Sequence, residues 1–387
     1  MRIVGFETLI ANAGLRNYLF IRLTTDTGLT GVGEATLEWQ ELTVQTLCHE
    51  WVERRVLGND PFDVEALVGG MVRDQYQGGA TIMTAISGVE IALWDLIGKA
   101  CGQPVYRLLG GRCHQRIQAY ANGWYGGAKT PDDFAERARE VVARGYGALK
   151  FDPFGTTWQQ LTPAAADAVV DIVAAVREAI GPHVGLIVEC HGRLLPAVAV
   201  AVLRRLERFD PLWCEEPVTP DSLDRLAETR RGTRAPIAAG ERLYTLADFS
   251  RLVELRAVDV VQMDVAHCGG ILAAKKIAAM AAAAELVFAP HCSIGPVALA
   301  AALHVDWSSL NCLIQETFSD FDVPWRAKLV GGWDPLHNGE FGLPEQPGLG
   351  IELDDEVIAE HPYQPHAFPS LWDDDWQDQF TQNEAPS

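Results

Sequence analysis

From about residue 116 the chain repeats one unit: a short, almost uninterrupted apolar run that ends in polar or charged residues, then a loop, then a helical run. The apolar runs fall at 117–121, 148–151, 185–190, 212–215, 237–240, 258–263, 286–290 and 312–315, with helical stretches such as 164–180 and 271–285 between them. A strand without polar alternation is buried on both faces, and sheets built that way are parallel and covered by helices. Eight such units predict a closed β/α barrel. The competing arrangement is an open doubly wound sheet. No G-x-G-x-x-G opens the first unit and no P-loop occurs, so its nucleotide-binding versions lose ground.

Residues 1–120 read differently. Alternating runs at 3–10 and 18–25, a turn at Asp26-Thr27-Gly28 and a third run near 31–37 predict an antiparallel meander. Helical stretches at about 41–56, 62–74 and 81–100 follow, the last with Ile86, Val89, Leu93, Leu96 and Ile97 at helical spacing and Gly102 as its stop. After residue 325 the chain is rich in proline and glycine, then predicts one more strand at 348–353 that returns to the first domain. The division expected is an α+β domain over 1–120, a barrel over 121–325 and a returning segment over 326–387.

At 387 residues the chain is too long for one ordinary core, which agrees with two domains. A formal charge of −21 disfavours nucleic acid and anionic membranes as partners. It also obliges any anionic substrate to meet local cations or a metal. The acidic run Asp373-Asp374-Asp375 reads as solvated tail. The eight cysteines contain no C-x-x-C pair and several sit inside apolar runs, so they read as buried reduced thiols rather than a zinc site or a disulfide framework. No run of 18 or more apolar residues appears and the N-terminus alternates like a strand, so the expectation is a cytoplasmic protein without a membrane span.

In a β/α barrel, chemistry sits at the C-terminal ends of the strands. Strand two ends Lys150-Phe151-Asp152, strand three Glu189-Cys190-His191-Gly192-Arg193, strand four Glu215-Glu216-Pro217 and strand five Gly240-Glu241-Arg242. Strand six ends Gln262-Met263-Asp264, strand seven Pro290-His291-Cys292 and strand eight Gln315-Glu316. Glu189, Glu215 and Glu241 recur at steps of about 25 residues, the size of one β/α unit, so they converge on one point. Three carboxylates cannot stay ionised together in a half-buried mouth without a cation. Hard oxygen ligands with no cysteine–histidine cluster favour Mg²⁺. Asp264 and His291 lie on neighbouring strand ends, where a carboxylate holds the imidazole tautomer as a general base requires. His191, two residues beyond Glu189, points back into the same mouth. His267, His304 and His361 lack such placement and are expected to play ordinary roles.

This order of acid, Glu-Glu-Pro, Gly-Glu, Asp, His and Glu resembles the mandelate racemase branch of the enolase superfamily, over the whole chain, including Ala92-Leu93-Trp94-Asp95 and Pro347-Gly348-Leu349-Gly350. The stretches His191-Gly192-Arg193, Ala238-Ala239-Gly240-Glu241-Arg242 and Ala289-Pro290-His291-Cys292, followed by Gly295-Pro296, are similar to those of galactonate dehydratases. The resemblance implies an α/β fold: a modified TIM barrel of (β/α)7β type, with an α+β N-terminal capping domain completed by the C-terminal segment. It also implies a homo-oligomer and a small carboxylate substrate. It assigns Mg²⁺ to Glu189, Glu215 and Glu241, and the base that takes the proton beside the carboxylate to His291 with Asp264. His191 would protonate the departing hydroxyl, and Glu316 would hydrogen-bond the enediolate. Lys150 would lie near the substrate carboxylate, with Asp152, Arg193 and Arg242 as further substrate contacts. Asn17, Gln77 and Trp124 are candidates for reading the rest of the substrate.

The expected reaction is dehydration of an aldonate such as galactonate to a 2-keto-3-deoxy acid. The same chemistry on gluconate or an aldopentonate, a racemase, epimerase or cycloisomerase of the branch, and a non-catalytic binding barrel are the alternatives. Two departures from the branch bear on this. Glu189 stands where many relatives have aspartate, so the metal shifts or the ligand binds differently. Asp152 stands where racemases of the branch carry a second lysine, which argues against inversion by the usual pair of bases.

Overall fold

A computed structural model of the chain describes residues 1–365 and 371; the acidic run at 373–375 lies outside the described residues. The N-terminal strands β1 (Ile3–Asn12), β2 (Asn17–Thr25) and β3 (Thr30–Glu34) form an antiparallel sheet in that order. Helices α1 (Glu41–Trp51), α2 (Val64–Asp74) and α3 (Ala80–Cys101) pack behind it. α1 runs on into one wider π turn over Val52–Val56. Gly102 ends α3 with φ 62°, a conformation a side chain resists. β3 lies so close to α3 that a Cβ on Gly33 would strike the Gly88 carbonyl, which explains a glycine in the middle of a strand. α3 is long and apolar enough to cross a membrane, but 78% of its most apolar window is buried inside the fold, where it forms the core of this domain.

The second sheet is parallel along β4 (Ile117–Ala121), β5 (Ala148–Phe151), β6 (Gly185–Glu189), β7 (Trp213–Glu215), β8 (Ile237–Ala239), β9 (Val260–Val261) and β10 (Val287–Phe288), with β11 (Gln315–Thr317) paired to β4. Between β10 and β11 the ladder thins to one bridge, Phe288 to Cys312, with the Leu313 N–H donating to the Phe288 carbonyl. The domain is therefore barrel-like. One side chain from each of the eight strand segments meets in a common inner cluster: Tyr120, Ala148, Ile187, Trp213, Ala238, Val260, Ala289 and Ile314. Register places Glu189 directly beside Glu215.

Two features differ from the sequence reading. A small hairpin, β12 (Leu336–His337) and β13 (Glu340–Phe341), adds antiparallel to β4. The strand expected at 348–353 is absent. Its donors are used otherwise: Gly348 N–H bonds the Gln103 carbonyl and Leu349 N–H the Asp95 carboxylate, leaving only a Pro104–Gly348 bridge. The segment still reaches the N-terminal domain, because the His361 carbonyl accepts from Asn12 N–H and Gln364 bonds the Asn17 side chain.

Two buried glutamates join the domains. Glu34 accepts from Gly295 and Ala298 N–H at the start of helix Pro296–Trp307. Glu90 accepts from Ile271 and Leu272 N–H at the start of helix Ile271–Ala283. Neither helix has a side-chain cap of its own, so the partner domain satisfies its orphan N–H groups. A Cβ at Gly270 or Gly295 would collide with these carboxylates.

Candidate active site

A cavity of about 370 Å³ opens where the N-terminal domain overhangs the C-terminal strand ends. Lys150, Glu189, His191, Glu241, Arg242 and His291 line it from the barrel side, and Leu15, Arg16, Leu37, Glu38 and Trp39 from the other domain. A second cavity of about 350 Å³, between α2 and helix Ile271–Ala283, is close to it in volume but mostly apolar. Glu90, on its wall, is consumed as a helix cap, and Glu65 is paired with Lys276. Chemistry, not size, separates the two.

Glu189, Glu215 and Glu241 bring one carboxylate oxygen each within 4.8 Å of one another. Lys150 sits among them: its Nζ donates to Glu215 Oε1 at 2.6 Å and Glu316 Oε1 at 2.8 Å, and lies 3.3 Å from Glu189 Oε2. One cation is thus shared among several buried anions. Burial would lower the lysine's pKa, but the surrounding carboxylates Glu215 and Glu316 hold it well above the ordinary value. Glu215 is pushed up to about 7, first by burial and then by repulsion from Glu189, even though Lys150 touches it. Its other oxygen accepts from Trp213 Nε1 at 2.9 Å and Gln262 Nε2 at 2.8 Å. Glu189 Oε2 is buried with no hydrogen-bond partner among the described residues. A cluster short of positive charge, with a buried oxygen that has only a longer ion pair to the shared Lys150, suits a hard divalent cation.

His291 Nδ1 lies 2.7 Å from Asp264 Oδ2, and its Nε2 is 3.5 Å from Glu241 Oε2 and 3.9 Å from Glu316 Oε2. Burial works against protonation of His291, but Glu241 and Glu316 raise its pKa well above the usual histidine range. Burial would raise the Asp264 carboxyl, yet His267 and His291 hold it below its ordinary value. Glu316 accepts from Asn122 Nδ2, Cys292 N–H and Lys150. Despite burial, Lys150 and His291 lower it to about 2.

His191 stands on the opposite flank, beside Glu189. Its Nδ1 lies 2.7 Å from Asp152 Oδ2, and its pKa is raised by Glu189 and Asp152 against the effect of burial. The backbone at His191 is left-handed, φ 48°. Asp152 and Arg193 are each 1% exposed and pair with one another behind His191. Neither lines the cavity, so the structure separates these two expected substrate contacts from the space a substrate would fill. Arg242 does line it, held by Glu216 at 2.7 Å.

The residues expected to read the substrate are elsewhere. Asn17 is buried against Asn12 and Gln364, and Trp124 donates its indole N–H to the Lys150 carbonyl. Gln77 is exposed in the loop before α3 and does not line the cavity. Arg16, Glu38, Trp39 and Asn122 do line it and were not singled out by the sequence, and His267, expected to play an ordinary role, lines it as well. Asn122 and His267 each follow a strand end by a few residues, the signal that could have found them. His267 in addition lies 3.6 Å from Asp264.

Comparison with known proteins adds a second line. Residues 6–110 match the family described as mandelate racemase / muconate lactonizing enzyme, N-terminal domain, and residues 133–357 the one described as enolase C-terminal domain-like. The chain is similar to the D-gluconate/D-galactonate dehydratase of Picrophilus torridus, 39% identical over 342 residues, which span 88% of this chain and 87% of the relative. It is similar to the D-galactonate dehydratase of Variovorax paradoxus, 38% identical over 88% of this chain and 90% of the relative. Among solved structures, a mandelate racemase/muconate lactonizing enzyme-like protein from Rubrobacter xylanophilus superposes with a TM-score of 0.88 at 37% identity, covering 94% of this chain and 98% of that one.

Proposed function

The chain belongs to the mandelate racemase / muconate lactonizing enzyme family of the enolase superfamily, and on that premise we propose that it dehydrates a sugar acid, an aldonate such as galactonate, to a 2-keto-3-deoxy acid. The observation that carries the reading is a pair of histidines on opposite flanks of one carboxylate cluster, each backed by an aspartate at 2.7 Å. Elimination needs a base for the carbon-2 proton and an acid for the leaving hydroxyl, roles the two histidines can fill; inversion could use the same pair on one carbon, and the dehydratase names of the similar proteins favour elimination.

Glu189, Glu215 and Glu241 would hold Mg²⁺. Bound there, the ion supplies positive charge against the negative charge that grows on the substrate carboxylate. A hydrogen beside a carboxylate is far less acidic than any side chain, so its removal requires that charge to be stabilised. In its neutral form His291 Nε2 takes the carbon-2 proton, with Asp264 holding the ring; a cation held by Glu241 would favour that form by offsetting the carboxylate that raises the imidazole's pKa. Negative charge moves onto the carboxylate as an enediolate, with Lys150 adding positive charge nearby. His191 Nε2–H gives its proton to the carbon-3 hydroxyl, which leaves as water. The enol product then tautomerises to the 2-keto-3-deoxy acid. Glu316, held by Asn122, the Cys292 N–H and Lys150, would hydrogen-bond the enediolate. Action in the cytoplasm and assembly as a homo-oligomer belong to the same reading.

The test is incubation of galactonate, gluconate and aldopentonates with enzyme and Mg²⁺, scored with semicarbazide for 2-keto acid and by proton NMR in D₂O. Keto acid from at least one aldonate is expected. His291→Asn should lose both product and carbon-2 exchange by about 10²-fold or more. Epimerisation at carbon 2 as the only reaction found would refute dehydration.

A further inference from the structure

We infer that Asp152 is the positioning residue of His191, and that Arg193 fixes Asp152 for that task. The inference rests on the dehydration reading above. Asp152 follows β5 and His191 follows the neighbouring β6 by two residues. Asp152 Oδ2 lies 2.7 Å from His191 Nδ1, while Oδ1 accepts the Phe154 N–H at 2.8 Å. Arg193 Nη2 contacts both carboxylate oxygens, its Nη1 donates to the Gly155 carbonyl at 2.7 Å, and its guanidinium lies over the Phe154 ring. The carboxylate is therefore held from several sides and turned away from substrate. What it presents to the cavity is the imidazole.

The arrangement repeats the other flank. Asp264 and His291 also come from consecutive strand segments, with the same 2.7 Å separation of Nδ1 and Oδ2. A carboxylate on Nδ1 keeps a hydrogen there and leaves Nε2 to act on substrate. His191 needs this more than most residues. Its left-handed backbone, φ 48°, is a conformation that persists only when the surroundings over-determine it. Gly192 N–H is pinned to the Glu216 carbonyl and His191 N–H to Glu189, so the backbone is fixed and the ring angle remains to be set. Asp152 sets it. The acid that replaces the second lysine of the branch's racemases thus builds a second histidine–aspartate pair.

The experiment uses the full chain with Mg²⁺ and an aldonate in D₂O. In Asp152→Asn the amide can offer its NH₂ to Nδ1, forcing the ring hydrogen to Nε2 in the neutral form and freeing the ring to turn. Dehydration kcat should fall by about 10²-fold or more, with KM and carbon-2 exchange within about 3-fold of wild type, because His291 and Asp264 are untouched. In a His191→Asn background, adding Asp152→Asn should change nothing further, since Asp152 acts through the missing ring. Asp152→Asn with Arg193→Gln removes both buried charges together, guards against unfolding, and should give the same split. Equal loss of exchange and dehydration, or a further loss in the His191→Asn background, would show a merely structural role and overturn the inference. So would an unchanged dehydration rate in Asp152→Asn beside an active wild type. If wild type dehydrates no aldonate, the functional reading fails, and this inference fails with it.

Discussion

Glu189 carries one methylene more than aspartate, and the structure shows where the extra reach goes: Oε1 curls back to accept the His191 N–H at 2.7 Å, leaving Oε2 toward Lys150. Residues of this kind were legible in the sequence because a strand end fixes its side chain in space once the β/α period is known. His304 shows the reverse case. It is fully buried in helix Pro296–Trp307, its Nδ1 accepts the Tyr106 N–H, and burial lowers its pKa from 6.5 to about 4. The unfolded chain takes up that proton near pH 6.5 while the folded chain does not. Its contribution to stability is therefore complete above about pH 6.5 and is lost as pH falls toward about 4. His304→Gln keeps an acceptor for Tyr106 and cannot titrate, so its melting temperature should fall less than wild type's between pH 7 and 5. Parallel melting curves for the two proteins across that range would refute the assignment.

At the scale of elements, the β/α alternation, the three N-terminal strands and the three helices behind them were readable from period alone, with ends shifted by a few residues. The hairpin at 336–341 was not, since two-residue strands leave no alternation to read. Nor were the cap residues Arg16, Glu38 and Trp39, because which loops overhang the mouth depends on how two domains dock. The docking device is itself an element-level feature: Glu34 and Glu90 cap helices of the other domain. Glu34→Ala leaves the Gly295 and Ala298 N–H groups buried without an acceptor, which should cost about 1–3 kcal/mol. Helix Pro296–Trp307 starts just after His291-Cys292-Ser293, so the loss should also lower kcat. Urea unfolding measures the first effect. A change below about 0.5 kcal/mol would mean that water or the helix itself replaces the cap.

The whole molecule carries a formal charge of −21, and its strand ends concentrate three glutamates with one shared lysine between them. Charge density on that scale makes any cation stabilising to some degree, through screening of self-repulsion. A specific site must be separated from that background. A ligand that binds only the folded chain adds about 2.7 kcal/mol when present at about 100 times its dissociation constant. With an unfolding entropy of about 2 cal/mol/K per residue, a chain of 387 residues should gain about 3 °C in melting temperature. The comparison needed is Mg²⁺ against Na⁺ at matched ionic strength, each with wild type and Glu215→Gln. Wild type should show the Mg²⁺ increment above the Na⁺ baseline, and chelation should abolish it together with turnover. Glu215→Gln should keep the screening response and lose the increment, because the middle member of the trio no longer offers a full negative charge. The same increment in both proteins would place the ion on the acidic surface instead of at the strand ends. No increment in wild type would remove the metal from the proposed chemistry.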